Sequence, residues 1–226
     1  MQSDMDRLND EIVACRKCPR LVRWRQQCAI APPRRYRGMK YWARPLPSFG
    51  AAQARLLIVG LAPAAHGGNR TGRMFTGDSS GDWLYGALHS AGFANQPNSY
   101  HSADGLELSD CYITAAVHCA PPANKPSYAE FKRCRAYLVR ELRLFTSVRV
   151  VIVLGKIAFD AFIAAYRENG GSVPKPLPKF GHGVAVELAH GLKLLCSYHP
   201  SQQNTFTGKL TEPMFHAIFQ QARAAL

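Results

Sequence analysis

The sequence predicts an α/β fold, a three-layer α/β/α sandwich around a central, mostly parallel sheet of about four strands. Short apolar runs rich in branched residues recur at residues 56–59, 111–117 and 148–154, and each is too short to be a stand-alone helix. Longer segments with helical spacing of apolar residues separate these runs. Strands that alternate with helices are typical of a parallel sheet covered by helices on both faces.

The remaining elements follow from capping signals and from apolar spacing. Ser127 with Glu130 three residues later forms a capping box that starts one helix, and Thr211 caps the last helix. Residues 184–188 and 192–196 form a closing pair of short strands, which suits an edge hairpin. The predicted helices are residues 4–15, 19–29, 82–91, 128–145 and 156–168, with a final one after Thr211.

Length and composition indicate one globular domain. The chain has 226 residues, 47% of them hydrophobic, which is enough to bury a proper core. Residues 1–54 form a basic, helical arm and loop that we expect to pack on that domain. No apolar run approaches the roughly 20 residues of a membrane span, and the first residues lack the features of a signal peptide. We therefore expect a cytoplasmic monomer with no membrane contact.

The charge distribution indicates a polyanionic partner. The net charge is +13, and between Glu11 and Asp78 there is no acidic residue but thirteen Lys or Arg. Aromatic residues are interleaved with the arginines of this stretch, which favours nucleic acid, since bases stack on aromatics while arginines bind phosphates. A solvated basic face is the alternative. The arginines nearest the aromatic residues are Arg34, Arg35 and Arg37.

A glycine-rich stretch, residues 60–78, follows the first strand and precedes a helix. In an open α/β sheet, ligands bind at this position, beyond the carboxyl ends of the strands. The stretch approaches a phosphate-binding loop, but Arg73 replaces the required lysine and Met74 replaces the magnesium-binding Ser or Thr. A flexible loop without chemistry is a second alternative. Against it, Phe75 and Asp78 place a flat aromatic ring and a carboxylate at a helix start, which suits a base pocket.

Seven cysteines in a chain of this kind do not suggest a disulfide framework. Cys15 and Cys18 form a C-x2-C pair, and Cys119 and Cys134 follow at the end of a strand and in the next helix. Four thiolates make a tetrahedral sulfur site that suits zinc or an iron–sulfur cluster equally by ligand count. The other three thiols stand among apolar neighbours and are expected to be buried and inert: Cys28, Cys111 and Cys196.

Three motifs give the chain a family resemblance. They are GLAPAAHGGNRTGRMFTGD at 60–78, CAPPANKP at 119–126 and YHPSQQNTFTGKLT at 198–211. Together with the four cysteines they resemble the type-b, or fifth, family of uracil-DNA glycosylases, iron–sulfur proteins with broad specificity for damaged bases. The resemblance runs from Cys15 to about the C-terminus. Other families of that superfamily carry a water-activating Asp where this chain has Ala62, and this departure is the fifth family's pattern.

The resemblance implies a DNA repair enzyme, a monofunctional glycosylase. It would flip out uracil or another deaminated or modified base and hydrolyse the N-glycosidic bond, leaving an abasic site. The implied catalytic residues are Asp78, His199 and Asn124. The implied base-binding residues are Gly60, Ala62, Phe75, Asn124 and His199. The implied DNA contacts are Arg34, Arg35, Arg37, Arg70, Arg73, Ser201, Gln202, Gln203 and Asn204. The implied cofactor is a [4Fe–4S] cluster on Cys15, Cys18, Cys119 and Cys134.

Two other classes of function fit the same sequence. One is a non-catalytic iron–sulfur module that binds nucleic acid within a repair or replication assembly, and the other is an iron–sulfur redox protein. Asp78 also has a simpler interpretation, since Asp is a preferred helix N-cap. Release of free uracil from a labelled oligonucleotide separates the enzyme from both alternatives.

Overall fold

The computed structural model describes residues 3–226 and contains a six-stranded sheet. The strands are β1 Phe49–Gly50, β2 Leu56–Gly60, β3 Cys111–Ala115, β4 Val150–Leu154, β5 Ala185–Glu187 and β6 Lys193–Ser197. Their order across the sheet is β1-β3-β2-β4-β6-β5, and the four central strands are parallel. The two short edge strands pair antiparallel with β3 and β6. The sheet is therefore mostly parallel as predicted, with six strands instead of about four.

Eight α-helices surround this sheet in the described part of the chain. They are α1 Asp4–Ala14, α2 Pro19–Ile30, α3 Gly68–Thr71, α4 Ser79–Ser90, α5 Tyr128–Leu144, α6 Lys156–Glu168, α7 Gln202–Phe206 and α8 Glu212–Ala224. Ser127 and Glu130 form the predicted capping box at the start of α5, and Thr211 caps α8. The two shortest helices, α3 and α7, lie where the sequence predicted loops. Each has at most five residues, too few for a periodic apolar pattern.

Alternate residues of each central strand point to opposite helical layers. Leu56 and Ile58 belong to a core cluster that includes α4 and α8, whereas Leu57 and Val59 belong to a cluster that includes α1, α5 and α6. All of them are fully buried, which explains why the central strands are continuously apolar. This arrangement confirms the three-layer sandwich.

Residues 3–50 are held on this sandwich by specific contacts. The apolar face of α1 packs in the cluster with α5 and α6, and Arg140 of α5 forms an ion pair with Glu11. In the following loop, the backbone N–H of Leu46 donates to the carbonyl of His118 at 2.8 Å. The loop is thus ordered by contacts with the rest of the chain. No helix among residues 3–226 has both the length and the apolar character needed to cross a membrane.

Candidate active site

A pocket lies at the carboxyl ends of β2, β3 and β6. The empty space within it, including its open mouth, is about 350 Å³. The lining residues are Ala62, Pro63, Ala64, Met74, Phe75, Asp78, Ser80, Ala115 and His199. Four of the predicted site residues, Ala62, Phe75, Asp78 and His199, therefore meet in one cavity. No sequence pattern singled out Met74, Ser80 or Ala115, although Ala115 lies near the end of the predicted strand 111–117 and ends β3 in the structure.

The ring of Phe75 forms one wall of the pocket. It lies 6.0 Å from the His199 ring, centroid to centroid, with 31° between the two planes. Gly60 lies beneath this ring, since a Cβ at that position would come within 2.8 Å of Phe75 Cζ. Phe75 itself has a positive φ of 52°, an uncommon backbone conformation for a bulky residue. The backbone at Phe75 and the small Gly60 together fix the ring in the pocket.

Asp78 is the N-cap of α4, as its simpler interpretation proposed. Its Oδ1 accepts a hydrogen bond from the backbone N–H of Gly81 at 3.1 Å. The carboxylate also lies against Gly67, where a Cβ would come within 1.9 Å of Oδ2, so only glycine fits there. Burial raises the pKa of Asp78, although the backbone N–H groups of Gly81 and Ser80 oppose this shift. A carboxyl group with a raised pKa is a recognised feature of functional sites.

His199 is neutral at physiological pH. Burial lowers the pKa of this imidazole to about 4. Its ring has no hydrogen-bond partner among residues 3–226, so the single N–H of the neutral ring is available to a ligand. The backbone of His199 is held by Asn204, whose Nδ2 donates to the His199 carbonyl at 2.8 Å. One of the two N–H donors of this amide is therefore used within the loop, and the DNA contact predicted for Asn204 stays a prediction.

Arg73 does not lie where the sequence predicted. It is buried, and its guanidinium contacts Asp104 at 2.7 Å and Ser99 at 2.8 Å. Although Asp104 is buried, its pKa lies well below the usual range, because Arg73 and three backbone N–H groups stabilise the carboxylate. The prediction that Arg73 contacts DNA is wrong, because its guanidinium is buried and paired inside the protein. Its charge is already neutralised by an acid thirty-one positions further along the chain.

The side chain of Arg70 fixes the backbone of the glycine-rich stretch through two hydrogen bonds. Its Nε donates to the carbonyl of His66 at 2.8 Å, and its Nη2 donates to the carbonyl of Gly77 at 3.1 Å. The guanidinium also lies 4.5 Å from the centre of the Tyr36 ring. Arg70 thus shapes the backbone next to Asp78, and its charge opposes the rise in the pKa of Asp78. The DNA contact predicted for it would compete with these bonds.

Asn124 does not line the pocket. It is exposed at the end of a short turn, Pro122–Asn124, with a positive φ of 55°. Asn tolerates this left-handed conformation better than most residues, which explains its presence there. Asn124 therefore lies outside this cavity, and its predicted catalytic and base-binding roles stay predictions.

The other predicted DNA contacts lie on the surface. Arg34 and Arg35 are in a short helical turn, Arg34–Tyr36, followed by Arg37, and all three arginines are exposed. Gln202 and Gln203 are exposed on α7, whereas Ser201 is half-buried at its start. At the end of the same helix, the ring of Phe206 is 81% exposed. These side chains are accessible to a large ligand.

The four predicted cysteine ligands line a second cavity. Its volume is about 380 Å³ with its mouth, and it lies between the turn that joins α1 to α2 and the segment from β3 to α5. Arg25 is 3% exposed there, and its Nη1 donates to Cys119 Sγ at 2.9 Å. Arg25 forms no ion pair with a carboxylate of the described chain, and its Nε has no hydrogen-bond partner there. No group of three His, Cys, Asp or Glu side chains among residues 3–226 could hold a single metal ion.

Asn69 connects the two cavities. Its side chain is fully buried, and its Nδ2 donates both to the carbonyl of Arg25 and to the carbonyl of Ala65, each at 3.2 Å. Its backbone N–H donates to the carbonyl of Ala64, a residue that lines the base pocket. Asn69 therefore contacts the pocket wall through its backbone N–H and the helix that carries Arg25 through its side chain. The sequence offered no signal for this role, because it depends on contacts between distant segments.

Comparison with known proteins places this fold and site in a family. Residues 47–223 match the model of the uracil DNA glycosylase superfamily. Three curated relatives are each named type-5 uracil-DNA glycosylase. The one from Mycobacterium leprae is 51% identical over 96% of this chain and 93% of its own length. The one from Thermus thermophilus is 46% identical over 97% of both chains. The one from Pyrobaculum aerophilum is 42% identical over 95% of this chain and 90% of its own length. The chain belongs to the uracil DNA glycosylase superfamily and, within it, to the type-5 family.

Proposed function

We propose that the protein is a monofunctional DNA repair glycosylase that removes uracil and other deaminated or modified bases and leaves an abasic site. The observation that carries this proposal is the meeting of Phe75, Asp78 and His199 in one pocket at the carboxyl edge of the sheet. A base inside a duplex cannot reach such a pocket, so the nucleotide must leave the stack. The ring of Phe75 then offers the flipped base a stacking surface.

The reaction needs little movement of protein groups. The base departs with the electron pair of the glycosidic bond, and the N–H of neutral His199 donates a hydrogen bond to its oxygen. Ionised Asp78 stabilises the positive charge that develops on the sugar. Water then adds to C1′, and Asp78 accepts the proton that the water loses. The reaction needs the ionised form of Asp78, and burial raises its pKa. As the pH is lowered, activity should therefore begin to fall at a higher pH than it would for an exposed carboxylate.

The pocket should accept more than one base. Ala62, Ala64 and Ala115 all line it, and their methyl side chains leave room around a flipped base. Recognition would rest on the Phe75 ring and the single donor of His199, which several deaminated bases can satisfy. We expect release of hypoxanthine and of 5-substituted uracils in addition to uracil. Strict action on uracil alone would contradict this breadth.

The exposed arginines of the basic arm would hold the DNA backbone. Replacing Arg34, Arg35 and Arg37 with Ala should weaken binding to all DNA sequences and flatten its salt dependence, since phosphate contacts act by counterion release. The measurement is the slope of log affinity against log salt concentration. An unchanged slope would show that this turn faces away from the DNA.

We also propose that Cys15, Cys18, Cys119 and Cys134 hold a [4Fe–4S] cluster. The chemistry of the donor set supports it, since four thiols line one cavity. In a [4Fe–4S] cluster each of the four thiolates binds a different iron atom, so the four sulfur atoms lie farther apart than the ligands of a single zinc ion. The buried charge of Arg25 supports it as well, because an anionic cluster would supply the partner that this guanidinium lacks. Its role would be structural, fixing the arm to the core.

One assay decides between the enzyme and the alternatives. Purified protein is incubated with a labelled oligonucleotide that carries one uracil, and free base is measured. We expect uracil release and an abasic site, with no strand cleavage by the protein itself. Tight DNA binding without release of any deaminated base would favour the non-catalytic module. Failure to bind DNA, combined with a reversible redox signal, would favour the redox protein.

A further inference from the structure

A third cavity lies beside the base pocket, between the amino ends of α5 and α6. Its volume is about 530 Å³ including its open mouth. The lining residues are Ala116, Tyr128, Phe131, Arg135, Leu138, Ile157, Asp160 and Ala161. We refer to it as the α5–α6 groove. The reaction proposed above uses none of these residues.

The α5–α6 groove and the base pocket approach each other at the carboxyl edge of the sheet, on opposite faces. Ala115 lines the base pocket on the side of α4 and α8, and the next residue, Ala116, lines the groove on the side of α5 and α6. A Cβ at Gly155, the residue after β4, would lie 3.4 Å from His199 Cβ, and Ile157, two residues further on, lines the groove. The groove is therefore close enough to His199 to meet a nucleotide next to the one in the base pocket.

The side chains at the mouth of the groove suit a flat aromatic ligand. Tyr128 is 79% exposed and Ile157 is 48% exposed, although both are large apolar side chains. Phe131, one helical turn after Tyr128, lies on the same side of α5. The Tyr128 ring has no aromatic or hydrogen-bond partner in the described part of the chain. An exposed aromatic ring next to apolar side chains is a surface on which a flat aromatic ligand can stack.

The charges around the groove suit a polyanion. The charged residues of the lining are already paired, Arg135 with Glu168 at 3.5 Å and Asp160 with Lys156 at 2.6 Å. Outside the lining, Lys132 lies one helical turn after Tyr128 on α5, is exposed, and forms no ion pair with a carboxylate among residues 3–226. The unpaired positive charge therefore lies next to the groove, on the helix that carries the Tyr128 ring. Stacking rings flanked by lysines are the features with which proteins bind single-stranded nucleic acid.

We propose that the α5–α6 groove binds a second, unstacked nucleobase of the substrate strand, stacked on Tyr128, while the base pocket holds the damaged base. Flipping one nucleotide removes a stacking partner from its neighbours, and a protein ring can replace part of that lost stacking. The proposal rests on the proposed function, since it assumes that DNA occupies the base pocket. It gives the enzyme contact with two bases of one strand, and therefore favours single-stranded or locally opened DNA.

The test uses oligonucleotides with one 2′-fluorinated deoxyuridine, in which the fluorine slows departure of the base by destabilising the sugar cation. A 2-aminopurine is placed in turn at each of the four positions on either side, and its fluorescence is quenched when it stacks. With wild-type protein we expect quenching at one fixed position. Tyr128→Ala should abolish that quenching and weaken single-strand affinity about 5- to 100-fold, the usual worth of one stacked base. Tyr128→Phe keeps the ring and should keep both properties.

The outcomes separate this proposal from the proposed function. Wild-type protein that releases uracil from an unmodified oligonucleotide but quenches no position overturns the groove and leaves the glycosylase standing. Quenching that is identical in Tyr128→Ala also overturns the groove, since another residue then supplies the stacking. Quenching that depends on Tyr128, in a protein that releases no base from any oligonucleotide, supports the groove and overturns the glycosylase.

Discussion

The base pocket and the cysteine-lined cavity differ in how completely their polar groups are satisfied. In the pocket, Asp78 is capped by a backbone N–H, and Arg70 next to it donates to two carbonyls. In the cysteine-lined cavity, Arg25 has a thiol as its only side-chain partner, and its Nε donates to nothing in the described chain. In the pocket the fold itself therefore holds the charged groups and leaves the His199 ring free for a ligand, whereas the cavity has a buried charge without an anionic partner in the described chain.

This difference separates preorganisation from dependence on a cofactor. Catalytic groups work best when the fold alone holds them in place, because no reorganisation is then needed during the reaction. A cofactor site can instead leave its charges unbalanced and use the cofactor to complete the fold. We expect changes in the pocket to alter the rate without altering stability, and changes in the cavity to do the reverse.

The sharpest test of the pocket is Asp78→Asn. Asn caps a helix about as well as Asp but carries no negative charge. If Asp78 stabilises the sugar cation and accepts the proton from water, single-turnover release of uracil should fall by about 10²- to 10⁴-fold. The melting temperature and DNA affinity should barely change. Near-normal release would leave Asp78 with its capping role alone.

The corresponding test of the cavity is Cys119→Ser, with Cys28→Ser as its control. Cys119 lines the cavity, whereas Cys28 is a buried thiol of α2 that does not. We expect Cys119→Ser to lose iron and sulfide and to lower stability by about 3–5 kcal/mol, the usual cost of leaving a buried charge unpaired. Cys28→Ser should keep its iron. Metal analysis that finds one zinc and no sulfide in the wild-type protein would contradict the cluster.

A second substitution tests the charge argument itself. Arg25→Leu should destabilise the wild-type protein, because it leaves the cluster without its buried cation. In the Cys119→Ser background the same change should stabilise the protein, because it removes a guanidinium that has lost its anion. The measurement is the free energy of unfolding of the four proteins. The same sign in both backgrounds would show that Arg25 does not respond to the cluster.

The sequence predicted the central strands and four of the pocket residues because those features are carried by local patterns and motifs. The apolar run before Gly60 is too short for a helix, which indicates a buried strand, and Asp78 directly precedes a helical pattern. The burial of Arg73 could not be predicted, since its partner Asp104 lies in a polar connection with no periodicity. The exposed position of Asn124 could not be predicted either, because a motif fixes the order of residues along the chain but not where a turn directs them.

The connection between the two cavities predicts a smaller effect for Asn69→Ala. The change removes the side-chain amide that joins the carbonyls of Arg25 and Ala65 but keeps the backbone N–H bond to Ala64. The segment next to the pocket wall then loses its link to the helix that carries Arg25. We expect the single-turnover rate at saturating DNA to fall about 10-fold, from the loss of about 1–2 kcal/mol, with DNA affinity and iron content unchanged. Asn95→Ala is a matched control, since Asn95 also donates to a carbonyl, that of Gly105, but is exposed. An equal loss in both variants would contradict the positioning role.

A buried carboxyl group provides the last and smallest test of the comparison. Glu141 of α5 is fully buried, and its only partners in the described chain are the hydroxyls of Ser48 and Thr114. Burial raises the pKa of Glu141 to about 7, although both hydroxyls donate to it. Unlike Arg25, this group can become neutral by binding a proton, so it needs no additional ion.

The sign of the resulting pH dependence follows from this raised pKa. Below the unfolded-state value of about 4.5, both states bind the proton and the stabilisation from burying a neutral carboxyl is fully present. Between there and pH 7 the unfolded state ionises first, so stability is lost as the pH rises. Glu141→Gln has no proton to lose, and its melting temperature relative to wild type should increase from pH 5 to pH 7 and then level off. A constant difference in melting temperature between the two proteins across this range would mean that Glu141 is ionised in the folded protein. The fold would then tolerate one buried charge without an opposite charge, and the unpaired charge of Arg25 would no longer argue for a cofactor.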